Sequence, residues 1–563
     1  MKKVLFICLL VLFLLVGCTP KDETPDDDSN LNDDTNDTGD TDVNEPVIDY
    51  NKVYEISDTI SILTSYEELN FKNESIQAEI ELVRTSYDTL NDDEKALVEG
   101  YDAFLAIEAA YEEYLEQVEL DLLEKQKIKD AVAEAAKSVR ESLPSTIGVN
   151  NLDLPKSYTS EDGINVYIGW TTSDFKTIST EGLVTQPRGA TTNVTLKAVC
   201  RSGSESQTVE KTIKVVPLKY ETLPAKPVFA YFYNSQSELT EIERQTIDVI
   251  NLSFGGIDDN GNVYVSGLNT EDLLQERKNG IRVTFSVQSK VGFKTWTKTA
   301  ANREKLAQSF LDVVESYHFD GVDIDWEYPE GPTEVDNYNE FIKLLYTKLK
   351  AANKEYLVTS AMYGGNASSN YDASVAQDYL DYIHLMTYDL NSREVANHLT
   401  ALRTSSNSYI SVESTVNHYK NCGDGISKDK LVIGGAFYGK IYKLSTTGTK
   451  FIGETPLSDP ETIRFSAIKT QYLSKLDGSD PNMSVTRHWD ANAEAPYLAI
   501  IEYNNDKTIK SRSYITYDDP ESLVAKANYV FSEGLGGMMF WELGEEDRMA
   551  NDLVSAIKSV FKK

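Results

Sequence analysis

The sequence predicts a multidomain protein whose largest part is an α/β domain, a (β/α)8 TIM barrel over residues 226–563 with a small α+β insertion. A small helical module and a β-sandwich precede it. Three observations lead there. The chain has 563 residues, room for several domains at roughly 100–200 residues each. Its apolar residues repeat at helical spacing as far as Glu124, pass through a further helical stretch to Glu141, and then alternate strictly. From Lys226 on, eight short apolar segments rich in β-formers alternate with amphipathic helical ones, the pattern of parallel strands covered on both faces.

At the amino end, Lys2 and Lys3 precede an unbroken apolar run from Val4 to Val16. That run is shorter than the roughly 20 residues needed to span a bilayer, so residues 1–17 read as a signal peptide. Leu15-Val16-Gly17-Cys18 resembles the bacterial lipobox, and the resemblance implies cleavage before Cys18, lipidation of its thiol and anchoring to the outer face of the cell membrane. Two or three acyl chains, at about 0.8 kcal/mol per buried methylene, anchor stably. Residues 18–49 follow as an acidic linker. From Lys21 to Asp49 there are twelve acids against one lysine, with too little to bury to offset the entropy of ordering. The expectation is an extended tether.

The whole chain carries 54 Lys+Arg against 90 Asp+Glu, a net charge of −36. Such an excess disfavours nucleic acid and anionic headgroups as partners. The stretch 21–49 holds −11 of it and the leader +2, leaving −27 for residues 50–563. Of the four cysteines, Cys8 leaves with the leader and Cys18 takes lipid, so Cys200 and Cys422 remain as two thiols expected in separate domains.

Residues 50–125 read as the helical module. Ile76, Ile80, Val83, Tyr87 and Leu90 share one helix face, and Phe104, Ile107, Tyr111, Leu115, Val118 and Leu122 another. Asn91 with Glu94 three residues on is a capping-box pair. Residues 126–218 read as the β-sandwich, with alternation at Ile164, Val166, Ile168 and Trp170, at Val194, Leu196, Ala198 and Cys200, and at Val209, Ile213 and Val215. Leu152-Asp153-Leu154-Pro155, Trp170-Thr171-Thr172-Ser173-Asp174 and Glu181-Gly182-Leu183-Val184 resemble bacterial immunoglobulin-like spacer domains. A carbohydrate-binding module is the alternative.

The barrel strands are expected at 228–233, 249–254, 281–286, 321–326, 357–362, 382–388, 431–435 and 537–541. The gap before the last is too long for one crossover and places the insertion at about 442–519. Barrel active sites lie at the carboxyl ends of the strands. There the fourth strand reads Asp320-Gly321-Val322-Asp323-Ile324-Asp325-Trp326-Glu327-Tyr328. Alternation sets Asp323, Asp325 and Glu327 on one face and Val322, Ile324 and Trp326 on the other. Carboxyls crowded in this way cannot all ionise freely, so a proton is retained near neutral pH, as a general acid requires. A divalent-metal site is the rival reading of the same cluster. The five histidines form no His-x-x-x-His pair, and no nucleophile-elbow or phosphate-loop pattern is present.

Asp320-x-x-Asp323-x-Asp325-x-Glu327 resembles the signature of glycoside hydrolase family 18, the chitinases and their relatives. So do His384-Leu385-Met386-Thr387-Tyr388-Asp389, the run from Lys430 to Gly439, and Gly534-Leu535-Gly536-Gly537-Met538-Met539-Phe540-Trp541. The resemblance implies a retaining, substrate-assisted hydrolysis of β-1,4-linked N-acetylglucosamine polymers such as chitin, with the 2-acetamido carbonyl as nucleophile. It implies Glu327 as general acid, Asp325 holding the acetamido group with Asp323 sharing its proton, Tyr388 bonding the acetamido oxygen, and Asp389 bracing the sugar. Trp541 would floor the subsite. Asp320, Tyr231, Phe254, Tyr328, Met386 and Tyr438 match further substrate-binding positions. No cofactor and no metal is implied, and the acting species is a monomer.

Two departures mark this chain. Ser286-Val287-Gln288-Ser289-Lys290 stands where the family shows Ser-x-Gly-Gly and an aromatic, and Tyr438-Gly439-Lys440 where it shows Tyr-Gly-Arg, so a planar fork of donors is lost. An endo-β-N-acetylglucosaminidase acting on glycoprotein or cell-wall glycans, and a non-catalytic chitin-binding lectin, are the alternatives. A transporter's substrate-binding lipoprotein would need two doubly wound lobes, which one run of eight strands does not supply.

Overall fold

The computed structural model describes residues 47–562 apart from 234–237, 266–269, 366–370, 423–424 and 477. The expected leader 1–17, Cys18 and the acidic stretch as far as residue 46 lie outside the described residues. Among the described residues no helix is long and apolar enough to cross a membrane. Two compact units divide at Leu123 and Glu124.

In the first unit, helices Tyr50–Ser65 and Glu74–Asp88, the short turn Asp92–Lys95 and the start of helix Tyr101–Ser142 enclose Ile56, Ile60, Leu63, Ile80, Val83 and Phe104. Asn91 and Glu94 make both capping-box bonds, at 2.9 and 3.0 Å. The helix Tyr101–Ser142 runs without a break across residue 125, where the sequence reading ends the helical module. It contains neither Gly nor Pro, and Pro144 lies just beyond its end, so nothing local stops it. Leu115 and Leu122, expected on the buried face, are exposed.

The second unit begins with β1 (Thr146–Ile147), β2 (Ser157–Thr159), β3 (Asn165–Thr172), β4 (Thr192–Ser202) and β5 (Glu205–Val215). These five form one sheet in the order β1-β5-β4-β3-β2, where the sequence reading expects the two sheets of a sandwich. The alternating face, with Val166, Ile168, Val194, Leu196, Ala198 and Cys200, is covered by Ala131, Val132, Ala135, Ala136 and Val139 of the long helix. Once a helix shields that face, a second sheet is not needed to keep it from water.

The barrel closes as expected. Its eight parallel strands are β6 (Val228–Tyr233), β7 (Val249–Ile257), β9 (Arg282–Gln288), β10 (Gly321–Asp325), β11 (Leu357–Tyr363), β12 (Tyr382–Met386), β13 (Leu431–Ala436) and β19 (Gly537–Trp541). A two-residue strand, β8 (Val263–Tyr264), pairs antiparallel to the end of β7. β19 pairs with both β13 and β6, and β6 with β7, which leaves the barrel without an open edge. Val322, Ile324 and Trp326 point outward into a core shared with Phe293, Phe310 and Phe341 of the surrounding helices. Asp323 and Asp325 therefore point inward. The insertion is a five-stranded antiparallel sheet in the order β15-β14-β18-β17-β16, made of β14 (Tyr438–Leu444), β15 (Glu461–Arg464), β16 (Met483–Asp490), β17 (Ala495–Tyr503) and β18 (Ile509–Tyr517). Asp518, at its exit, is fully buried, accepts the Ala436 N–H at 2.9 Å and pairs with Lys526 at 2.6 Å, fastening the insertion to the end of β13.

The immunoglobulin-like part docks on the amino-terminal end of the barrel, away from the strand ends that carry Glu327. Arg188, between β3 and β4, pairs with Asp320 at 2.7 Å, and Arg277 of the barrel joins from 3.3 Å. Lys176 sits 3.7 Å over the Tyr317 ring, and Thr177 Oγ1 lies 2.7 Å from His318 Nε2. Asp320 also accepts the Val283 N–H at 2.8 Å. Burial pushes its carboxyl up, but the guanidiniums of Arg277 and Arg188 outweigh this and hold it below the ordinary range.

Candidate active site

The carboxyl ends of the strands surround a cleft of about 250 Å³. Strand β10 supplies the acids. Asp323, fully buried, accepts hydrogen bonds from Thr359 Oγ1 at 2.6 Å, Ser286 Oγ at 2.7 Å and Tyr231 Oη at 2.9 Å, with His384 Nδ1 at 3.4 Å. Burial raises its pKa, and the hydrogen bonds from His384, Thr359 and Ser286 more than reverse that, so Asp323 is held below the ordinary range as a buried anion. Its neighbour behaves in the opposite way. Burial, then the charges of Glu327 and Asp323, push Asp325 well above the carboxylate range. Asp325 thus holds a proton more readily than an ordinary aspartate. Its Oδ1 is buried with no hydrogen-bond partner among the described residues, and its Oδ2 accepts from Gln288 at 3.3 Å. Glu327 stands beyond it, partly exposed, with Oε1 2.9 Å from Gln288 Nε2.

Aromatic side chains form the rest of the floor and walls. Trp541 ends β19 and stacks on Phe254 at 5.3 Å, with Tyr231 5.6 Å away. Tyr328 packs edge-on against Tyr363 at 5.4 Å, and Tyr388 against Tyr438 at 6.2 Å. Burial, then the neighbouring Asp325 and Asp389 carboxyls, push Tyr388 upward, so its hydroxyl stays a donor. Gly434 on β13 leaves room for that ring, since a Cβ there would lie 2.8 Å from Tyr388. Asp389 turns into the left-handed region at φ 54, seldom used by residues with a Cβ. Its carboxylate meets Lys440 Nζ at 3.1 Å, and the same amine donates to Thr462 at 2.9 Å.

The cleft therefore brings together Glu327, Asp325, Tyr388, Asp389, Tyr231, Phe254, Tyr328, Met386, Tyr438 and Trp541. Asp323 lies directly beneath them through Tyr231. Asp320 is not among them. It occupies the opposite end of β10, where two arginines and a backbone N–H consume its carboxylate, and it cannot reach a ligand in the cleft. Several lining residues lacked a role in the sequence reading. Strand β11 adds Ala361 and Tyr363, findable from the period-two spacing that places Thr359 against Asp323. Gln288 stood out only as a departure from a pattern. Lys290, in place of an aromatic, pairs with Glu330 at 2.7 Å at the rim. Among the described residues no group of three or more His, Cys, Asp or Glu side chains is arranged to hold a metal ion. The chemistry open to the cleft is that of one buried anion, one retained proton and one accessible carboxyl.

Comparison with known proteins places these features in a family. Residues 228–546 match the family model for glycosyl hydrolases family 18, and residues 136–218 match an atrophied bacterial Ig domain. The chain is similar to Chitinase A1 of Niallia circulans, 30% identical over 334 residues, which are 51% of this chain and 44% of that protein. With Chitinase B of Serratia marcescens it shares 28% identity over 402 residues, 58% of this chain and 78% of the relative. A solved family 18 N-acetylglucosaminidase from Paenibacillus barengoltzii aligns with a TM-score of 0.53 at 25% identity, covering 60% of this chain and all of that one. This chain thus spans less than half the length of Chitinase A1 and more than three quarters of Chitinase B.

Proposed function

Because the chain belongs to glycosyl hydrolase family 18, we propose that it is a chitinase hydrolysing β-1,4-linked N-acetylglucosamine polymers with net retention of configuration. The observation that carries the reading is the β10 triad: an anionic Asp323, a protonated Asp325 with a free buried oxygen, and an accessible Glu327. Glu327 donates its proton to the glycosidic oxygen as the C–O bond breaks. The acetamido carbonyl oxygen of the same sugar closes on the anomeric carbon, giving an oxazolinium ion. Asp325 receives the acetamido N–H on its unpartnered oxygen, and Asp323 supplies the buried negative charge that favours the cation. Tyr388 donates to the acetamido oxygen, Trp541 and Phe254 floor the ring, and Asp389 braces its hydroxyls. Water then opens the ion and returns a proton to Glu327. The proposed acting unit is the monomer.

The test is incubation with soluble chitin oligomers and, in parallel, with an N-glycoprotein, followed by sizing of released sugars and anomer analysis at early times. Short N-acetylglucosamine oligomers released as the β-anomer are expected from the first substrate. Glycan release from the second alone moves the enzyme to the endo-β-N-acetylglucosaminidases, and an α-anomer excludes the acetamido mechanism.

The anchoring part of the proposal rests on the residues around Cys18. Full-length protein expressed in a bacterium is expected in the membrane fraction and the detergent phase, and Cys18→Ser in the aqueous phase. Identical partition of the two would remove the lipid anchor from the reading.

A further inference from the structure

Gln288 closes β9, and the strand register sets it beside Asp325 on β10. Its Nε2 lies 2.9 Å from Glu327 Oε1 and 3.3 Å from Asp325 Oδ2. A primary amide carries two N–H bonds, so one nitrogen serves both carboxyls. With the amide nitrogen placed there both carboxyl oxygens accept from it, whereas the turned amide oxygen could only accept a carboxyl proton and draw it away from the cleft, so the nitrogen is the atom assigned to the bridge. The chain has this side chain where the family pattern has glycine, and a glycine offers no group to bridge the pair.

We propose that Gln288 is a positioning residue of the hydrolysis: it commits one oxygen of Glu327 and one of Asp325 to its amide, leaving the other oxygen of each for the substrate. For Glu327 that other oxygen carries the transferable proton. For Asp325 it is the buried, unpartnered Oδ1. Without the bridge both carboxyls rotate about their terminal torsions, which are broad and twofold, and the productive pairing becomes one arrangement among several. The proposal rests on the chitinase reading, since it assigns roles within that reaction.

The bridge also has an electrostatic signature. A donated N–H favours the ionised form of a carboxyl, so loss of the Gln288 amide is a change that a pH profile can read. The other titratable groups around Glu327 are Asp325 on its own strand, Tyr328 beside it and hydrogen-bonded to it, Tyr363 from β11, Tyr388 and Asp389 after β12, Tyr231 from β6 and Tyr438 from β14. Asp389 is paired with Lys440, and Lys290 with Glu330. None of these pairs is altered by a change at position 288.

The experiment is the pH profile of kcat and kcat/KM on chitin tetramer for wild type, Gln288→Met and Gln288→Glu, with thermal midpoints as a folding control. Methionine keeps the length and removes the donor. Glutamate keeps the shape and sets a third carboxyl against the other two. In Gln288→Met the basic limb is expected to move up by about one pH unit and kcat to fall about tenfold, with KM changed by less than about threefold. In Gln288→Glu the limb moves further up and kcat falls further. A Gln288→Met limb that does not move, whatever the rate, overturns the proposal, because a side chain that only fills space has no reason to shift a titration. Wild type that fails to cleave the tetramer defeats the chitinase reading and this proposal with it, whereas an active wild type with an unmoved Gln288→Met limb defeats the proposal alone.

Discussion

Glu327→Gln is expected to lower kcat on chitin oligomers about a thousandfold, the middle of the range that a general acid contributes, while oligomer affinity stays within about threefold. The amide matches the carboxyl in size and keeps the oxygen that Gln288 bonds, so the cleft retains its shape. What it lacks is a proton it can give up to a leaving alkoxide. In the proposed mechanism the acetamido carbonyl can still approach the anomeric carbon, but the departing oxygen must leave as an anion, the barrier that a general acid lowers. Single-turnover rates on a tetramer, together with titration calorimetry of the same variant, separate the two quantities. A variant that keeps more than a few per cent of wild-type kcat would remove Glu327 from the role of acid and with it the mechanism.

The second large effect is on stability. Asp320→Ala is expected to destabilise the unit from Glu124 onward by about 4 kcal/mol, the scale of breaking a buried pair from one side. Arg188 and Arg277 are both almost fully buried around that carboxylate. Its loss leaves two guanidiniums facing each other without a counter-charge and strands the Val283 N–H. Because Asp320 titrates below the ordinary range, its contribution is full above about pH 4 and is lost as the pH falls through its folded value. A urea midpoint that drops with an unchanged slope reads this directly. Arg188→Ala should cost less, since Arg277 and the Val283 N–H still partner the carboxylate. A midpoint for Asp320→Ala within about 0.5 kcal/mol of wild type would show that the interface carries little of the fold.

The two acids of these experiments show how far one line of sequence can be read. Alternation along β10 gives the facing of Asp323, Asp325 and Glu327 without any partner strand, because the period of two belongs to the backbone. The same alternation does not say which end of the strand opens to solvent. Asp320 and Glu327 belong to one motif, yet the structure puts them at opposite ends of the barrel, one in a buried ion cluster and one in the cleft. Arg188, 132 residues away in sequence, takes up the Asp320 carboxylate, and no local pattern points to it. The division of charge between Asp323 and Asp325 has the same origin. Both are inward aspartates two residues apart, but Thr359, Ser286, Tyr231 and His384 converge from four other strands on the first and leave the second with a single amide.

The amino-terminal parts follow the same rule. Helical spacing was visible from Ile76 to Val139, while the continuity of Tyr101–Ser142 and the burial of its last turns against β3, β4 and β5 were not. A face of Ala131, Ala135 and Val139 is compatible with several partners, and the sheet that lies there settles how many layers the domain has.

By itself, then, the sequence determined what depends on near neighbours along the chain: the eight apolar strands, the capping box at Asn91, and the three carboxyls of one strand face with their family resemblance. The tertiary structure decided protonation, pairing and access, because these depend on what approaches from elsewhere. Burial and a few donors within about 3 Å push the titrations of two neighbouring aspartates in opposite directions, bind a third to an arginine of another domain, and place a glutamine between Asp325 and Glu327.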